Sequence, residues 1–523
     1  MNKCYITTPI YYVNASPHIG HAYTTVAADA YCRFKKLTGV DTYFLTGTDE
    51  HGEKIKKAAE AAGEEPQGFV DEVMQNFKKL WQVLNVEYSD FIRTTDARHI
   101  RVVQKVIATL TANGDVYKSR YRGFYCRPCE AFWTQSQVKE AGGCPDCKRD
   151  VEEIVEENFF FRLSKYEGWL KTYLKENPDF IRPKIRYNEV VGFLQHNPLE
   201  DLCISRPKER ITWGIEFPGE AHYVVYVWFD ALINYISALG YGEDHAAFSR
   251  WWPAEIHFMA KDIIRHHAVF WPIMLRALGV EMPKTVFAHG WWKINDEKMS
   301  KSRGNIVNPF EFIEQFGVDS LRYFLLREVP FGADGNFSWD AVTTRLNSDL
   351  ANDLGNLVYR VLNMSEKYFN GNIPVPSHKT IPDVFHSFIG DRTYLFAEYA
   401  KAMDEVNFSG ALEKVWKFIG TMNKYIEDTK PWELKKSQKE SELHHFIWSL
   451  LQGITIVAAY VYPVMPQTAE SIFRQLGGPG SIEGLLQEGL EKNTIWTIDA
   501  VFNIKKENPL FPRIDVKDTD DHR

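Results

Sequence analysis

The chain has 523 residues, of which 45% are hydrophobic and 25% are charged, and its formal net charge is -8 at pH 7. This length exceeds what one hydrophobic core supports and predicts three or four domains, while the acidic balance argues against nonspecific nucleic-acid binding. The sequence shows neither a signal peptide nor an Arg-rich transit sequence, and it has no apolar run of roughly 20 residues, so we expect a cytoplasmic protein without membrane contact.

The first hundred residues alternate short β-rich runs with helical periods. Residues 4–8 read as a strand, a helix is predicted from about residue 20 to residue 37, and residues 42–45 read as a second strand. This β-α-β unit implies a parallel sheet with a right-handed crossover. The tetrapeptide His18-Ile19-Gly20-His21 lies between the first strand and the helix. Imidazoles there suit phosphate chemistry, because the N-terminus of a helix favours anions.

The block 115–222 interrupts this alternation with paired cysteines, glycine and proline. Two CxxC pairs, Cys126/Cys129 and Cys144/Cys147, are separated by fourteen residues, which predicts four thiolates at tetrahedral reach of one metal ion. The closed ligand set predicts one structural Zn2+ per chain. Incidental thiols are a better description of the remaining three cysteines, namely Cys4, Cys32 and Cys203. Strand and helix signals return at 223–227 and 263–278, so we interpret the block as an insertion that splits one doubly wound domain.

A second motif, Lys298-Met299-Ser300-Lys301-Ser302, follows a strand-like run at residues 285–288. Its Gly- and Ser-rich loop suits two lysines that fold over leaving phosphates and then withdraw. After about residue 353 the strand signals nearly vanish. Helical periods there predict a helix bundle, and they run through residues 353–373, 388–406, 409–428 and 440–464.

The two motifs, in this order and on this scaffold, resemble the paired signatures of class I aminoacyl-tRNA synthetases. Four further blocks resemble the methionyl-tRNA synthetase family, in its bacterial and organellar form with a four-cysteine zinc knuckle: residues 7–14, 46–52, 226–231 and 260–263. The resemblance extends to about residue 505. It implies that L-methionine is activated with ATP to methionyl-adenylate plus pyrophosphate. Methionyl would then be transferred to the 3′-terminal adenosine of tRNA(Met), with initiator and elongator tRNAs as partners.

The resemblance also implies roles for the residues of the two signatures. The catalytic residues would be His18, His21, Lys298 and Lys301, and Gly20 and Ser300 would join them in binding ATP. Lys301 is implied to contact the triphosphate in the transition state, where one such donor contributes about 3–4 kcal/mol. Mg2+ is expected with ATP and would be carried by the phosphates, since no dedicated carboxylate cage is evident.

The same resemblance implies a methionine site. Asp49 would hold the ammonium group, and the Tyr12 hydroxyl and the Ile10 backbone amide would donate to the sulfur, a weak acceptor. The other implied methionine-binding residues are Trp228, Ala231, Tyr235, Ile263, His267 and Trp271. The last three fall at i, i+4 and i+8, on one face of a predicted helix that would wall the methionine side chain. Ala260 and His266 depart from the family pattern beside this helix.

Three residues of the bundle match the family's anticodon-contacting positions: Asn356 and Arg360 on one helix face, and Trp432, on which a base can stack. From the residues alone, three other interpretations stay open. They are a different class I synthetase, a small-molecule nucleotidyltransferase of the same fold, and a catalytically inactive tRNA-binding protein. Tyr12, Asp49 and Trp228 favour methionine over cysteine as the amino acid.

The predicted fold class is α/β, a Rossmann-like parallel sheet split by a zinc-knuckle insertion and followed by an all-α anticodon-binding helix bundle. We expect a monomer, because the chain stops just past the bundle. The expected parts are the first catalytic half (1–114), the connective insertion (115–222), the second catalytic half (223–290), the linking domain with the KMSKS signature loop (291–352), the bundle (353–510) and a polar tail (511–523).

Overall fold

The computed structural model of the chain describes residues 3–127, 131–133, 135–145, 147–294, 297–298, 307–377, 380–387, 394–478 and 501–514. It has a parallel β-sheet with helices around it and a helical C-terminal region, which confirms the predicted fold class.

The strands, in chain order, are β1 (Lys3–Tyr12), β2 (Asp41–Asp49), β3 (Asp90–Arg93), β4 (Val116–Cys126), β5 (Ala131–Trp133), β6 (Glu152–Phe161), β7 (Ile181–Arg182), β8 (Leu202–Cys203), β9 (Ser205–Pro207), β10 (Tyr223–Val225), β11 (Ile256–Ala260), β12 (Val286–His289), β13 (Trp292–Ile294), β14 (Glu297–Lys298), β15 (Gly335–Asn336), β16 (Asn372–Ile373) and β17 (Phe502–Asn503).

The α-helices are α1 (Ile19–Leu37), α2 (Glu53–Ala62), α3 (Pro66–Val83), α4 (Ala97–Ala112), α5 (Gln135–Ala141), α6 (Glu167–Glu176), α7 (Lys184–His196), α8 (Val227–Leu232), α9 (Asn234–Ser237), α10 (His245–Trp251), α11 (Trp271–Leu278), α12 (Pro309–Phe316), α13 (Val318–Arg327), α14 (Trp339–Arg345), α15 (Asn356–Phe369), α16 (Asp383–Phe385), α17 (Tyr394–Asp404), α18 (Phe408–Thr429), α19 (Pro431–Lys436), α20 (Glu440–Val461) and α21 (Pro466–Gln475). Among the described residues, His266–Phe270 and Leu346–Gly355 are π-helical segments, and Ser164–Tyr166 and Lys261–Ile263 are single 3-10 turns.

The main sheet has six strands in the order β3-β2-β1-β11-β12-β7, and every pairing within it is parallel. Most of β1 is buried, as expected of a strand that helices cover on both faces. The strand order reverses beside β1, because β2 pairs with one of its edges and β11 with the other. Ligands of open α/β sheets bind at such a reversal, outside the carboxyl ends of the strands.

The block 115–222 forms a sheet of its own, but one strand within it and one strand just after it pair differently from the expected division of the chain. Its long hairpin of β4 and β6 forms a separate antiparallel sheet, in the order β5-β4-β6-β8. Its short strand β7, however, pairs with β12 in the main sheet, while β10 pairs with β9 and stays out of that sheet. A strand of two residues leaves no readable pattern, and β-rich composition does not identify the pairing partner.

The helical C-terminal region contains α15, α17, α18 and α20 where the sequence predicts long helical periods. Among the described residues, α20 is long and apolar enough to cross a membrane, although the sequence led us to expect no such segment. Buried residues make up 89% of its most apolar window, so α20 is the core helix of the bundle.

A buried network of charged side chains joins three parts of the chain. The Asp29 carboxylate of α1 accepts hydrogen bonds from Arg33 at 2.9 Å and from Arg322 of α13 at 2.6 Å. Arg322 also donates to the backbone carbonyls of Pro463 and Val464, which follow α20. Burial opposes the ionisation of Asp29, but the two guanidinium groups outweigh it and lower the pKa of this carboxyl below its usual value.

Candidate active site

A cavity of about 350 Å³ opens where the strand order reverses, at the carboxyl ends of β1, β2, β11 and β12. It brings together eleven residues that the sequence predicts for nucleotide or methionine binding, which are Ile10, Tyr12, His18, Gly20, His21, Asp49, Trp228, Ala231, Tyr235, Ile263 and His267. Segments more than 200 residues apart therefore share one site.

An irregularity in β1 directs the chain toward the cavity. The pairing of β1 with β2 shifts register between Thr7 and Ile10, where Pro9 supplies no backbone N–H. Beyond this shift, Ile10 and Tyr12 line the cavity. The proline-containing sequence before the first signature is thus the local cause of the orientation of two predicted methionine contacts.

The two histidines of the first signature cap helix α1. The His18 Nδ1 accepts from the Gly20 backbone N–H at 3.0 Å, and the His21 Nδ1 accepts from the His18 backbone N–H at 3.1 Å. Their rings stack with centroids 3.9 Å apart. A nitrogen that accepts a hydrogen bond carries no proton, so each neutral ring carries its proton on Nε2. Both rings line the cavity as donors at a helix N-terminus.

Gly20 is required for this capping arrangement. A Cβ atom on residue 20 would lie 2.9 Å from the His18 Cε1 and 3.0 Å from its Nδ1. The absent side chain therefore leaves room for the His18 ring to fold back over the first turn of α1.

Tyr12 is bonded differently from the sequence-based expectation. Its hydroxyl donates to the backbone carbonyl of His51 at 2.9 Å. A hydroxyl has one hydrogen, so this bond and the predicted donation to a methionine sulfur are mutually exclusive. Asp49, at the end of β2, is buried and lines the same part of the cavity.

Tyr235 and His267 form a neutral pair in the wall of the cavity. The His267 Nδ1–H donates to the Ile263 carbonyl at 3.0 Å, so its Nε2 accepts from the Tyr235 hydroxyl at 2.8 Å. Burial lowers the pKa of His267 to about 4, against the opposing effect of the bond to Ile263. The ring is therefore uncharged at neutral pH, which suits an apolar ligand.

The role of Trp271 in walling the methionine side chain stays a prediction, and Trp271 is missing from the described residues that line the cavity. Its buried ring packs behind Tyr235, with centroids 5.8 Å apart, and its indole N–H lies 3.4 Å from His257. The i, i+4, i+8 rule assumes a regular α-helix, whereas the chain here passes from a 3-10 turn through a π-helical segment into α11. The extra residue in the π turn rotates Trp271 away.

Sequence reasoning missed several residues of the cavity. They are Lys54, Asn234, Asp262, His289, Trp291 and Trp292. His289 ends β12, and its Nε2 lies 2.7 Å from the Thr24 hydroxyl, which fixes the second turn of α1 to that strand. Burial lowers the pKa of His289 to about 4. The signal was available, because polar and aromatic residues directly after a parallel strand face the carboxyl edge of the sheet.

The second signature is described only in part. Lys301 and Ser300 lie outside the described residues, and Lys298 is described only as a backbone position of β14. The hairpin of β13 and β14 leads from the cavity to this segment. Asp334 holds the base of the hairpin through Lys293 at 3.1 Å, Lys261 at 2.7 Å and the Trp291 backbone N–H at 2.9 Å. Burial opposes the ionisation of Asp334, but these donors outweigh burial and lower the pKa of its carboxyl.

Three of the four predicted metal ligands form one cluster. The sulfur atoms of Cys126, Cys144 and Cys147 all lie within 4.8 Å of one another, and those of Cys126 and Cys147 are 3.5 Å apart. Zn–S bonds of about 2.3 Å give sulfur separations of about 3.8 Å in a tetrahedron, so the donor set fits zinc. Cys129 lies outside the described residues.

The three predicted anticodon contacts lie on neighbouring helices. Asn356 and Arg360 are on α15, and Arg360 donates to Glu427 in the last turns of α18 at 2.6 Å. Lys430 ends α18 in a left-handed conformation, and α19 follows with Trp432, whose side chain is 42% exposed. An indole this exposed offers a stacking surface.

Comparisons with known proteins show which family the chain resembles. The family model described as tRNA synthetases class I (M) matches residues 4–155 and 150–362, and an anticodon-binding domain of tRNA ligases matches residues 392–508. The methionine–tRNA ligase of Caldanaerobacter subterraneus is 47% identical over 522 residues, which are 98% of this chain and 79% of that protein. The Thermotoga maritima methionine–tRNA ligase is 46% identical and covers 99% of this chain and 81% of its own length.

A solved structure matches over nearly the whole chain. The Mycobacterium tuberculosis methionyl-tRNA synthetase in complex with methionyl-adenylate superimposes with a TM-score of 0.90 at 38% identity. The match covers 98% of this chain and 100% of that one.

Proposed function

The chain belongs to the methionine–tRNA ligase family of class I aminoacyl-tRNA synthetases, and we propose that its cavity performs both steps of that reaction. The enzyme activates L-methionine with ATP to methionyl-adenylate and pyrophosphate, then transfers methionyl to the 3′-terminal adenosine of tRNA(Met). The observation that carries this assignment is the meeting of the first signature with the predicted methionine residues in one cavity.

Adenylate formation requires the nucleotide end of the cavity to stabilise negative charge on the phosphate oxygens. A methionine carboxylate oxygen attacks the α-phosphorus in line, a P–O bond forms, and the bond to the departing pyrophosphate breaks with its electron pair. The imidazole Nε2–H groups of His18 and His21 donate to phosphate oxygens as negative charge develops on them. The dipole of α1 favours the same charge, and the capping bonds hold both rings in place before reaction.

Lys301 and Lys298 are assigned to the leaving phosphates on the strength of the second signature and the family membership. The β13–β14 hairpin, held at its base by Asp334, supports this assignment because it begins at the cavity wall with Trp292. Mg2+ bound with ATP would neutralise part of the phosphate charge.

At the amino-acid end, Asp49 holds the ammonium group and the aromatic side chains enclose the thioether. Trp228 and Tyr235 supply polarizable faces, for which sulfur is a favourable partner, and neutral His267 adds no charge. The Ile10 backbone amide donates to the methionine sulfur. Tyr12 contributes its ring and, through its hydroxyl, the position of His51.

The insertion would hold one structural Zn2+ through the thiolates of Cys126, Cys129, Cys144 and Cys147. The metal would tie the end of β4 to the segment after α5 and so stiffen the part of the protein that lies beyond the long hairpin. In the bundle, Asn356, Arg360 and Trp432 would read the anticodon of initiator and elongator tRNA(Met), with Trp432 as the stacking surface.

Amino-acid-dependent exchange of pyrophosphate into ATP, measured with each of the twenty standard amino acids, tests the proposed reaction directly. Methionine should support exchange at least 100-fold faster than any other amino acid. Exchange driven best by another amino acid would reassign the substrate. An inactive tRNA-binding protein would give no exchange at all.

Three sequence-based expectations stay predictions. The six-part division of the chain awaits limited proteolysis, and the monomeric state awaits a mass determination in solution. The cytoplasmic location awaits cell fractionation.

A further inference from the structure

A second buried polar network lies behind the amino-acid end of the cavity. The Asp230 carboxylate, which is fully buried on α8, accepts from the His51 Nδ1–H at 2.7 Å and from the His99 Nε2–H at 2.6 Å. The His99 Nδ1 in turn lies 2.7 Å from the Ser237 hydroxyl. Burial opposes the ionisation of Asp230, but the two imidazoles outweigh it and keep the pKa of this carboxyl below its usual value.

The network joins two sequence blocks, and their residue types alone do not show that the blocks are in contact. Residues 46–52 contain Asp49 and His51, and residues 226–231 contain Trp228 and Asp230. In each block a residue that lines the cavity, Asp49 or Trp228, stands two positions before a residue of the network, His51 or Asp230. Two walls of the cavity are thus tied to each other through the hydrogen bond between His51 and Asp230, neither of which lines the cavity in the described structure.

His51 extends the tie to a third wall. Its backbone carbonyl accepts the Tyr12 hydroxyl at 2.9 Å, while its ring donates to Asp230. Trp213 holds the same short segment from outside, because its indole N–H donates to the Glu50 carbonyl at 2.6 Å. The position of Tyr12 on β1 is therefore coupled to the position of α8 through a single residue.

We propose that Asp230, acting through His51 and His99, is a positioning residue that sets methionine affinity and side-chain selectivity without taking part in nucleotide binding. The network fixes the separation between Asp49, Tyr12 and Trp228, which face different parts of one amino acid. In the described part of the chain, no hydrogen bond of Asp230, His51 or His99 reaches α1, where the first signature is capped independently. This inference rests on the proposed function, since it names what that site's supporting residues do.

The first test compares Asp230→Asn with Asp90→Asn. Asparagine keeps the shape of the Asp230 side chain, but an amide NH2 group replaces one of the two acceptor oxygens. That NH2 group then faces an imidazole N–H, so two donors meet and the segment that carries His51 moves away from α8. A displacement of about 1 Å in a reacting geometry costs up to about 100-fold. We expect the methionine KM in pyrophosphate exchange to rise about 10- to 100-fold, the ATP KM to stay within twofold, and the preference for methionine over its S-ethyl analogue to fall.

Asp90 is the control because its carboxylate also accepts hydrogen bonds on both oxygens, from Arg98 at 2.8 Å for each, although it is partly exposed where Asp230 is fully buried. It does not line the cavity in the described structure. Asp90→Asn should leave the methionine KM and the analogue preference unchanged. A folded Asp230→Asn protein with wild-type methionine KM and selectivity would overturn the proposal, and so would equal increases in both KM values.

A pair of substitutions at His51 keeps the test decisive where Asp230→Asn fails to fold. The amide nitrogen of asparagine and the Nδ1 of histidine are both bonded to Cγ, so His51→Asn retains a donor toward Asp230. His51→Leu removes it. We expect equilibrium dialysis with labelled methionine to show an affinity within threefold of wild type for His51→Asn and at least tenfold weaker for His51→Leu.

Equal affinities in those two variants would contradict the positioning role. The outcome is separable from the proposed function, because wild-type protein without methionine-dependent exchange would refute the function itself. Active wild-type protein together with unaffected variants would refute only the role of Asp230.

Discussion

At the scale of single residues, the structure explains which ring nitrogen of each histidine in the first signature carries the proton. His18 and His21 are recognisable by their order, but their tautomer follows from the backbone bonds that Nδ1 of each ring accepts. Because capping occupies Nδ1, the proton of each neutral ring must sit on Nε2, and the two side chains that cap the helix are also the proposed catalytic donors.

Gly20→Ala tests this explanation. The new Cβ would push the His18 ring off its cap, so we expect the rate of methionine-dependent pyrophosphate exchange to fall about 100-fold. The unfolding free energy should change little, because the lost cap costs about 1 kcal/mol and alanine in place of glycine returns about the same. Gly68→Ala in α3 is the control, since nothing lies within 4 Å of its added Cβ. A fully active Gly20→Ala enzyme would remove the capping argument.

Lys301→Ala tests the second signature. A donor that acts mainly in the transition state contributes about 3–4 kcal/mol, so we expect adenylate formation to slow by about 100- to 1,000-fold while ATP affinity changes little. Single-turnover kinetics measures the first quantity and equilibrium binding the second. Lys175→Ala, on an exposed face of α6, should behave as wild type. Equal losses of rate and affinity would assign Lys301 to ground-state binding instead.

Residue identity was predictable from the sequence, whereas hydrogen-bond assignment was not. Short motifs name the residues that line the cavity, because each motif is a local pattern. Tyr12 and Trp271 deviate because their partners, His51 and a π-helical turn, depend on contacts and backbone geometry that no local pattern encodes. Asp230 was within a recognised block, yet its two histidine partners are distant in sequence.

At the scale of elements, the strands and helices that flank the signatures were predicted closely, because long periodic segments carry strong patterns. The short strands were not. β7 was not predicted and joins the main sheet, whereas β10, expected there, pairs with β9; two or three residues leave too little alternation to specify a pairing. The insertion is consequently less separate from the main sheet than the composition of the block indicates.

Cys144→Ser tests the metal site of the insertion. Loss of one thiolate from a tetrahedral set should reduce the zinc content of purified protein from about one per chain to less than about 0.2. Protease cleavage within residues 115–160 should become faster, because the metal ties the hairpin end together. Cys32→Ser should retain the metal, since Cys32 lies on α1 and donates to Thr42. Wild-type protein without zinc would contradict the assignment.

Trp432→Ala tests the reading surface of the bundle. Stacking of one base on an aromatic ring is worth about 1–3 kcal/mol, so we expect kcat/KM for tRNA charging to fall about 10- to 100-fold. Pyrophosphate exchange without tRNA should be unaffected. Trp432→Phe keeps an aromatic face and should retain most of the charging activity. Equal losses in charging and exchange would point to a folding defect in place of a lost contact.

At the scale of the whole molecule, the Asp29 network connects the nucleotide end to the bundle. Helix α1 begins at the signature histidines, and its third turn is bonded through Asp29 and Arg322 to the backbone that follows α20. This link could not be predicted from the sequence, because a lone Asp, a lone Arg or an i, i+4 pair normally lies on a solvated face. Burial turns these charges into a structural joint.

Asp29→Asn should be strongly destabilising, at a cost of about 3–5 kcal/mol, because it removes the buried carboxylate that Arg33 and Arg322 share. Arg33 keeps its ion pair with Glu87, whereas Arg322 keeps no ion pair among the described residues. Asp404→Asn is the control. Its carboxylate is largely exposed and pairs with Lys35, also on α1, so less than about 1 kcal/mol is expected. Urea denaturation at pH 7 measures both values. A cost for Asp29→Asn no greater than that of the control would contradict the proposed joint.

The same carboxylate predicts a pH dependence. Its pKa is lower in the folded chain than in the unfolded chain, so its contribution to stability is fully present above the unfolded value of about 3.9. This contribution is lost as the pH falls from about 4 toward the folded pKa. The difference in unfolding free energy between wild type and Asp29→Asn should therefore shrink on acidification below pH 4. A difference that stays constant from pH 7 to pH 3 would argue against the depressed pKa.

The central position of β1 has a consequence for the birth of the protein on the ribosome. One edge of β1 is covered early by β2, but the other waits for β11, whose paired residue His257 emerges 250 residues after Thr7. At roughly 5–20 residues per second, that edge stays open for roughly 12–50 s. An uncovered strand edge recruits strands from other chains. We therefore expect the yield of active enzyme from each message to depend on translation speed and on chaperone supply.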